Sequence, residues 1–187
     1  MPATPEGLRP SPVLATVDYD RDGIQHGFLR LPYSRDDSAW GSVVIPITVI
    51  RNGEGPTALL TGANHGDEYE GPLALFDLAA RIKAPDVTGR IILVPAMNYP
   101  AFGAGTRTSP IDRGNLNRSF PGRPDGTVTQ KIADYFQRVL LPCDPSTGLH
   151  CCVPFQLAVN VVQIFHCIDD VASVVCSLKI NSKPIHM

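Results

Sequence analysis

The first 142 residues of this 187-residue chain contain no cysteine; all five (Cys143, Cys151, Cys152, Cys167, Cys176) fall in the last quarter. The odd count argues against a disulfide framework, and the adjacent pair Cys151-Cys152 lacks the C-x-x-C spacing of a structural zinc site. Concentrations of positive charge are equally scarce. Eighteen acidic against sixteen basic residues give a formal charge of −2, without the basic stripe that a nucleic-acid partner requires. No stretch reaches the roughly 18 apolar residues of a membrane span. Met1-Pro-Ala-Thr-Pro-Glu-Gly has neither the basic nor the apolar region of a secretory leader. The expectation is a cytoplasmic protein with no nucleic-acid or membrane partner.

Two further absences concern the end of the chain. The last glutamate is Glu70, and after Gly148 there is no Gly, Glu or Arg while Val, Cys, Ile and Ser dominate. The composition changes near Cys143, together with the onset of cysteine, so residues 143–187 are expected to form a divergent tail. A frameshift or an aberrant exon would produce both changes at once. Such a tail should pack worse than residues 40–142, although the β-branched run Val153–Phe165 can still form some regular structure.

What is present suffices for one domain: 43% of the residues are hydrophobic. Residues 41–51, Gly-Ser-Val-Val-Ile-Pro-Ile-Thr-Val-Ile-Arg, are β-branched and run into Asn52-Gly53, which predicts a strand and a turn. Pro56–Gly62 reads as a short buried strand. Leu73, Phe76, Leu78, Ala79 and Ile82 have helical spacing over 70–83, and Arg90–Pro95 reads as another buried strand. Strand, helix and strand within about 40 residues form a βαβ unit with parallel pairing, hence an α/β fold. Residues 96–125 read as a long functional loop rich in Gly, Pro, Asn and Arg. Thr127 or Thr129 then opens a helix to about Leu141 with Ile132, Ala133, Phe136, Val139 and Leu140 on one face.

The sharpest motif is Gly62-Ala-Asn-His-Gly-Asp-Glu-Tyr-Glu-Gly71, where the buried strand hands over to the helix. A His and a Glu three residues apart at a strand's carboxyl end can converge on one metal, and imidazole nitrogen and carboxylate oxygen both suit zinc at about 2.0–2.2 Å. The competing reading is a surface histidine beside a glutamate that the helix dipole favours. The second motif, Asp112-Arg-Gly-Asn-Leu-Asn-Arg-Ser-Phe-Pro-Gly122 with Arg107 upstream, offers guanidinium and amide donors suited to a carboxylate. Its competing reading is a loop held by Asn turns with solvated arginines.

These two segments, with Asn98-Tyr-Pro-Ala101 as a strand end and Gly126-Thr-Val-Thr-Gln-Lys-Ile-Ala-Asp-Tyr-Phe136 as a helix, resemble the aspartoacylase and succinylglutamate desuccinylase family of zinc deacylases over about residues 10–142. The likeness implies a zinc-carboxypeptidase-like three-layer α/β/α domain, incomplete here. Its parts would be an N-terminal extension and β-rich lead-in at 1–40, a partial deacylase domain at 41–142 and the tail at 143–187. It implies one Zn²⁺ per chain, with His65 and Glu68 as the first two ligands. Arg107, Asn117 and Arg118 would hold the substrate, and Arg118 would also share the oxyanion charge. The implied substrate is a small N-acylated amino acid, with N-acetyl-diaminobutyrate indicated by the further likeness of Leu31-Pro-Tyr-Ser-Arg-Asp-Asp-Ser-Ala-Trp40. Succinylglutamate and N-acetylaspartate are the alternatives. The family's third ligand lies in Asp-x-His-Ser-Gly-Gly, where this chain has Thr147-Gly-Leu-His-Cys-Cys152, so His150 takes that place without its usual neighbours. His166 and Cys151 are weaker candidates. The downstream catalytic glutamate has no counterpart, and only Asp144, Asp169 and Asp170 remain by type. A catalytically inactive fragment is therefore the rival reading for this chain.

Overall fold

The structure, a computed structural model, describes residues 9–36 and 41–141 together with the backbone of 163–166. Six strands form one sheet: β1 (Leu14–Ala15), β2 (Gly23–Pro32), β3 (Ser42–Asn52), β4 (Thr57–Thr61), β5 (Gly89–Val94) and β6 (Gln163–His166), in the order β1-β2-β3-β5-β4-β6. β4 and β5 run parallel, as the βαβ reading requires, and every other pairing is antiparallel.

Strand β3 shows how local chemistry selects position. Its Pro46, which has no N–H to give, faces Phe28 of β2, whereas β5 pairs only with Thr48–Asn52. The missing donor therefore falls where β3 has a single neighbour. Strand β5 is buried on both faces, which explains its uninterrupted apolar run.

Alternation along β5 divides the core into two. Ile92 and Val94 pack in one cluster with Val49, Leu59, Leu116, Ile132 and Phe136, while Ile91 and Leu93 pack in the other with Ile50, Leu60 and Leu75. Helix α3 (Val128–Tyr135) supplies the first face and α1 (Glu70–Arg81) the second, so the sheet lies between helical layers. Thr127 caps α3. Its hydroxyl accepts from Gln130 N, and Gln130 Oε1 accepts from Thr127 N. The helix continues as a wider turn over Phe136–Leu140. Tyr135 Oη lies 2.9 Å from Tyr19 Oη, which ties the β1–β2 connection to α3.

Two expectations need correction. On α1, Leu73 and Phe76 are 70% and 44% exposed, and the buried stripe is Leu75 with Leu78, Ala79 and Ile82. Those four positions follow i, i+3, i+4 and i+7, so the helical phase differs from the one read in the sequence. Asn98–Ala101 is not a strand end. Asn98 opens α2 (Tyr99–Ala104), with proline in its first turn and Gly105 closing it at φ 62°. The 96–125 segment thus carries this helix and a 3₁₀ turn at Leu116–Arg118. Of the tail only the backbone of 163–166 is described, as β6; all five cysteines, Asp144, His150, Asp169 and Asp170 lie outside the described residues. No described helix is long and apolar enough to cross a membrane.

The phase of α1 is testable by equilibrium unfolding in urea. Leu75→Ala is expected to lower stability by about 2–5 kcal/mol and Leu73→Ala by less than about 0.5; equal losses would contradict this packing.

Candidate metal centre and its arginine loop

Beyond Thr61 the chain stays bonded to the end of β5. Gly62 N donates to Val94 O at 3.1 Å, Met97 N to Gly62 O at 2.9 Å and Asn98 N to Ala63 O at 3.1 Å. The turn carrying His65 therefore sits at the carboxyl ends of the parallel pair, where α/β sheets bind ligands. Glycine is required for this fit. A Cβ on Gly62 would lie 2.5 Å from Pro95 O, and one on Gly66 would lie 2.0 Å from the Ala101 carbonyl carbon in α2.

His65 is 6% exposed, and its Nδ1 faces Glu68 Oε1 at 2.9 Å. The structure thus brings the two sequence-selected ligand types together. A cation bound to both at about 2.0–2.2 Å needs them roughly 3–3.5 Å apart, which a slight opening provides.

Among the described residues, His65 Nε2 and the amide oxygens of Asn64, Asn98 and Asn115 are buried without a hydrogen-bond partner. Asn98 Nδ2 donates to the Asn64 carbonyl at 3.2 Å, so its amide orientation follows from its partner and its oxygen is the free atom. The three unsatisfied atoms besides the imidazole nitrogen are all acceptors. With the proton on Nδ1 the imidazole donates to Glu68 Oε1 and leaves no unpaired donor; a cation ligated by Nδ1 requires the other tautomer, with the proton on Nε2. In that tautomer Nδ1 presents a lone pair to a carboxylate oxygen, an opposition that a cation relieves. The donor set, one imidazole and one carboxylate, suits zinc. Among the described residues no group of three His, Cys, Asp or Glu side chains forms a complete metal site. His150 and Cys151 lie outside them. His166 pairs in backbone register with Ala58, whereas the carboxyl end of β4 pairs through Thr61 with Gln163, so β6 places His166 at the end of β4 away from His65.

The arginine loop is joined to this turn through its backbone. Gly66 N donates to Thr106 O at 3.0 Å, which sets Arg107 one residue from that bond. Leu116, 0% exposed, anchors the 3₁₀ turn in the cluster that also holds Val94 and Met97, leaving Asn117 and Arg118 exposed. No hydrogen bond or ion pair among the described residues joins Arg107, Asn117 or Arg118 to His65 or Glu68. Arg51, Arg81, Arg90, Arg123 and Arg138 are each paired with a carboxylate; among the described residues Arg107 and Arg118 have no such pair. The two non-glycine residues described with positive φ, Ala63 at 48° and Arg113 at 56°, fall one in each motif. Backbone strain of this kind persists where surrounding contacts impose it.

Asp112 is the loop's internal fastening. Its Oδ1 accepts from Gly114 N at 3.0 Å and Thr129 Oγ1 at 2.7 Å, and its Oδ2 from Thr129 N at 2.7 Å. Burial pushes its carboxyl up, but hydrogen bonds from Thr129, Thr127 and Gly114 outweigh that and hold it below the ordinary aspartate value. A depressed folded value makes this contribution to stability fully present above the ordinary range and lost only as pH falls through the lower one. Asn64, Asn98 and Asp112 were not singled out from the sequence. The available signals were an Asn closing a buried strand before Tyr-Pro and an Asp two residues before Gly.

The succinylglutamate desuccinylase/aspartoacylase catalytic-domain model matches residues 54–157. The N-alpha-acetyl-L-2,4-diaminobutyric acid deacetylase of Halomonas elongata is 67% identical over 142 residues, which is 76% of this chain and 42% of the relative. The product-bound structure of the ectoine utilization protein EutE from Ruegeria pomeroyi aligns with a TM-score of 0.71 at 77% identity, over 72% of this chain and 41% of that one. A succinylglutamate desuccinylase/aspartoacylase from Rhodobacter sphaeroides aligns with a TM-score of 0.69 at 52% identity, covering 71% and 41%. The chain spans about two fifths of the length of these relatives. With the His65–Glu68 turn and the arginine loop both within the matched segment, the chain belongs to the succinylglutamate desuccinylase/aspartoacylase family.

Proposed function

We propose that His65 and Glu68 are two of the three protein ligands of a single zinc ion in an amide hydrolase that removes the acetyl group from N-acetyl-L-2,4-diaminobutyrate. The observation that carries this reading is the 2.9 Å approach of His65 Nδ1 to Glu68 Oε1 at the carboxyl ends of the parallel strands. The Halomonas relative bears the name of that substrate. When bound, zinc would supply Lewis acidity that activates water and polarises an acyl carbonyl.

The chain's own residues do the remaining work. Arg107, Asn117 and Arg118 hold the substrate's carboxylate and carbonyl through fixed donors, and Arg118 stabilises the negative charge that develops on the carbonyl oxygen. Burial of His65 holds its imidazole in a fixed orientation. Glu68, half-exposed, completes the pair from the solvent side. His150 is the proposed third ligand.

A second reading, confined to this chain, is favoured by the lack of a three-ligand group among the described residues. We infer that the isolated chain holds only part of the site. Two experiments test these readings. Zinc content and acetate release from N-acetyl-L-2,4-diaminobutyrate are expected to be low in the isolated chain, with activity no higher than in its His65→Ala variant. Extension with an Asp-x-His-Ser-Gly-Gly continuation and a downstream glutamate should restore both, and an extended chain that stays metal-free would contradict the assignment. Gly66→Ala is expected to weaken zinc binding at least about tenfold in chelator competition, or about 1.4 kcal/mol. Undiminished affinity would mean that the close approach to α2 does not set the ligand geometry.

A further inference from the structure

The arginine loop and the start of α3 meet at one carboxylate. Asp112 receives Gly114 N from its own loop and both Thr129 N and Thr129 Oγ1 from the helix, at 2.7–3.0 Å. All of these partners donate, so both carboxylate oxygens must accept. An asparagine in the same place would turn an NH₂ toward an N–H donor whichever way it rotated, and one donor would lose its partner. The carboxylate also stands at the positive end of α3, where it satisfies an N–H that the helix cannot. Gly114 permits the approach, because a Cβ there would lie 2.4 Å from Thr129 Oγ1. Four residues after Asp112 comes Leu116, the buried anchor, and then Asn117 and Arg118. The loop is thus fastened at Asp112 and Leu116, with the proposed substrate contacts immediately beyond.

We propose that Asp112 is a positioning residue that fixes the Asn117–Arg118 turn against α3 and so sets the loop's affinity for a substrate carboxylate, without touching substrate or metal. This rests on the reading of Arg118 as a substrate contact. Arg113, held at φ 56° with its N–H on Ser109 O at 2.8 Å, is the strained link that the fastening maintains.

The test uses the full chain and its Asp112→Asn, Thr129→Val and Arg118→Ala variants. Amide hydrogen exchange reports on the fastening. Binding of N-acetyl-L-2,4-diaminobutyrate in the presence of zinc, followed by NMR, reports on the loop. Zinc affinity by chelator competition reports on the His65–Glu68 turn. Asp112→Asn is expected to speed exchange across residues 113–119 and at Thr129, to leave β4 and β5 protected, to weaken ligand binding about tenfold and to change zinc affinity less than twofold. Thr129→Val removes one donor to the carboxylate and keeps the carboxylate itself, so it should act in the same direction at about threefold, which retains the test if Asp112→Asn fails to fold. Unchanged exchange at 113–119 would overturn the fastening. Faster exchange with unchanged ligand affinity, while Arg118→Ala weakens binding, would overturn the positioning role alone. If Arg118→Ala also leaves binding unchanged, the substrate-contact reading fails and the proposal with it. Equal losses of zinc and ligand affinity would reduce Asp112 to a general structural role and overturn the proposal.

Discussion

The parallel pairing of β4 with β5 is the constraint on which the rest of this structure depends. Five register pairs from Thr57–Arg90 to Thr61–Val94 bring both strands to the same edge, and bonds from Gly62, Met97 and Asn98 continue the pairing past their ends. Whatever follows the two strands must then meet. After β4 comes the turn with His65 and Glu68, and after β5 come Asn98, α2 and the arginine loop. Gly62 and Gly66 are the points of closest approach, where a single methyl would collide with backbone. The site is therefore a property of the sheet edge more than of either motif alone.

The two motifs are held by different physics. Around His65 the turn is buried, and several polar atoms lack partners among the described residues. In the arginine loop the reverse holds: Asp112 has its acceptors satisfied, Leu116 is packed, and the exposed guanidinium groups of Arg107 and Arg118 form no ion pair among the described residues. A buried metal-ligand pair needs desolvation and fixed geometry. A carboxylate-binding loop needs accessible cations on a rigid backbone. Each segment has the environment that its proposed task requires.

Much of this was legible in the sequence. The β-branched run at 41–51 and the Gly-bounded strand at 57–62 each have a single local interpretation, and the structure follows them; of the two helix starts that the sequence offered, Thr127 and Thr129, the structure uses Thr127. The pairing of His65 with Glu68 was legible from three-residue spacing at a strand end. The phase of α1 was not. Leu73, Phe76 and Ala79 also recur every three residues, as Leu75 and Leu78 do, and only the position of the sheet decides which stripe is buried. α2 was missed because Asn98-Tyr-Pro-Ala101 follows a strand directly, and proline there reads as a break before it reads as a helix start. The fastening by Asp112 joins residues 17 apart through side-chain bonds, which no periodicity records.

The account's central claim is that His65 Nδ1 is a ligand atom facing Glu68 and not the donor of an ordinary hydrogen bond. Long-range proton–nitrogen correlation NMR of the histidine side chains during zinc titration tests this directly. The account predicts that with zinc bound His65 carries its proton on Nε2 and that the Nδ1 resonance moves as zinc is added. A proton that stays on Nδ1, with no shift at His65 while zinc is taken up, would contradict it.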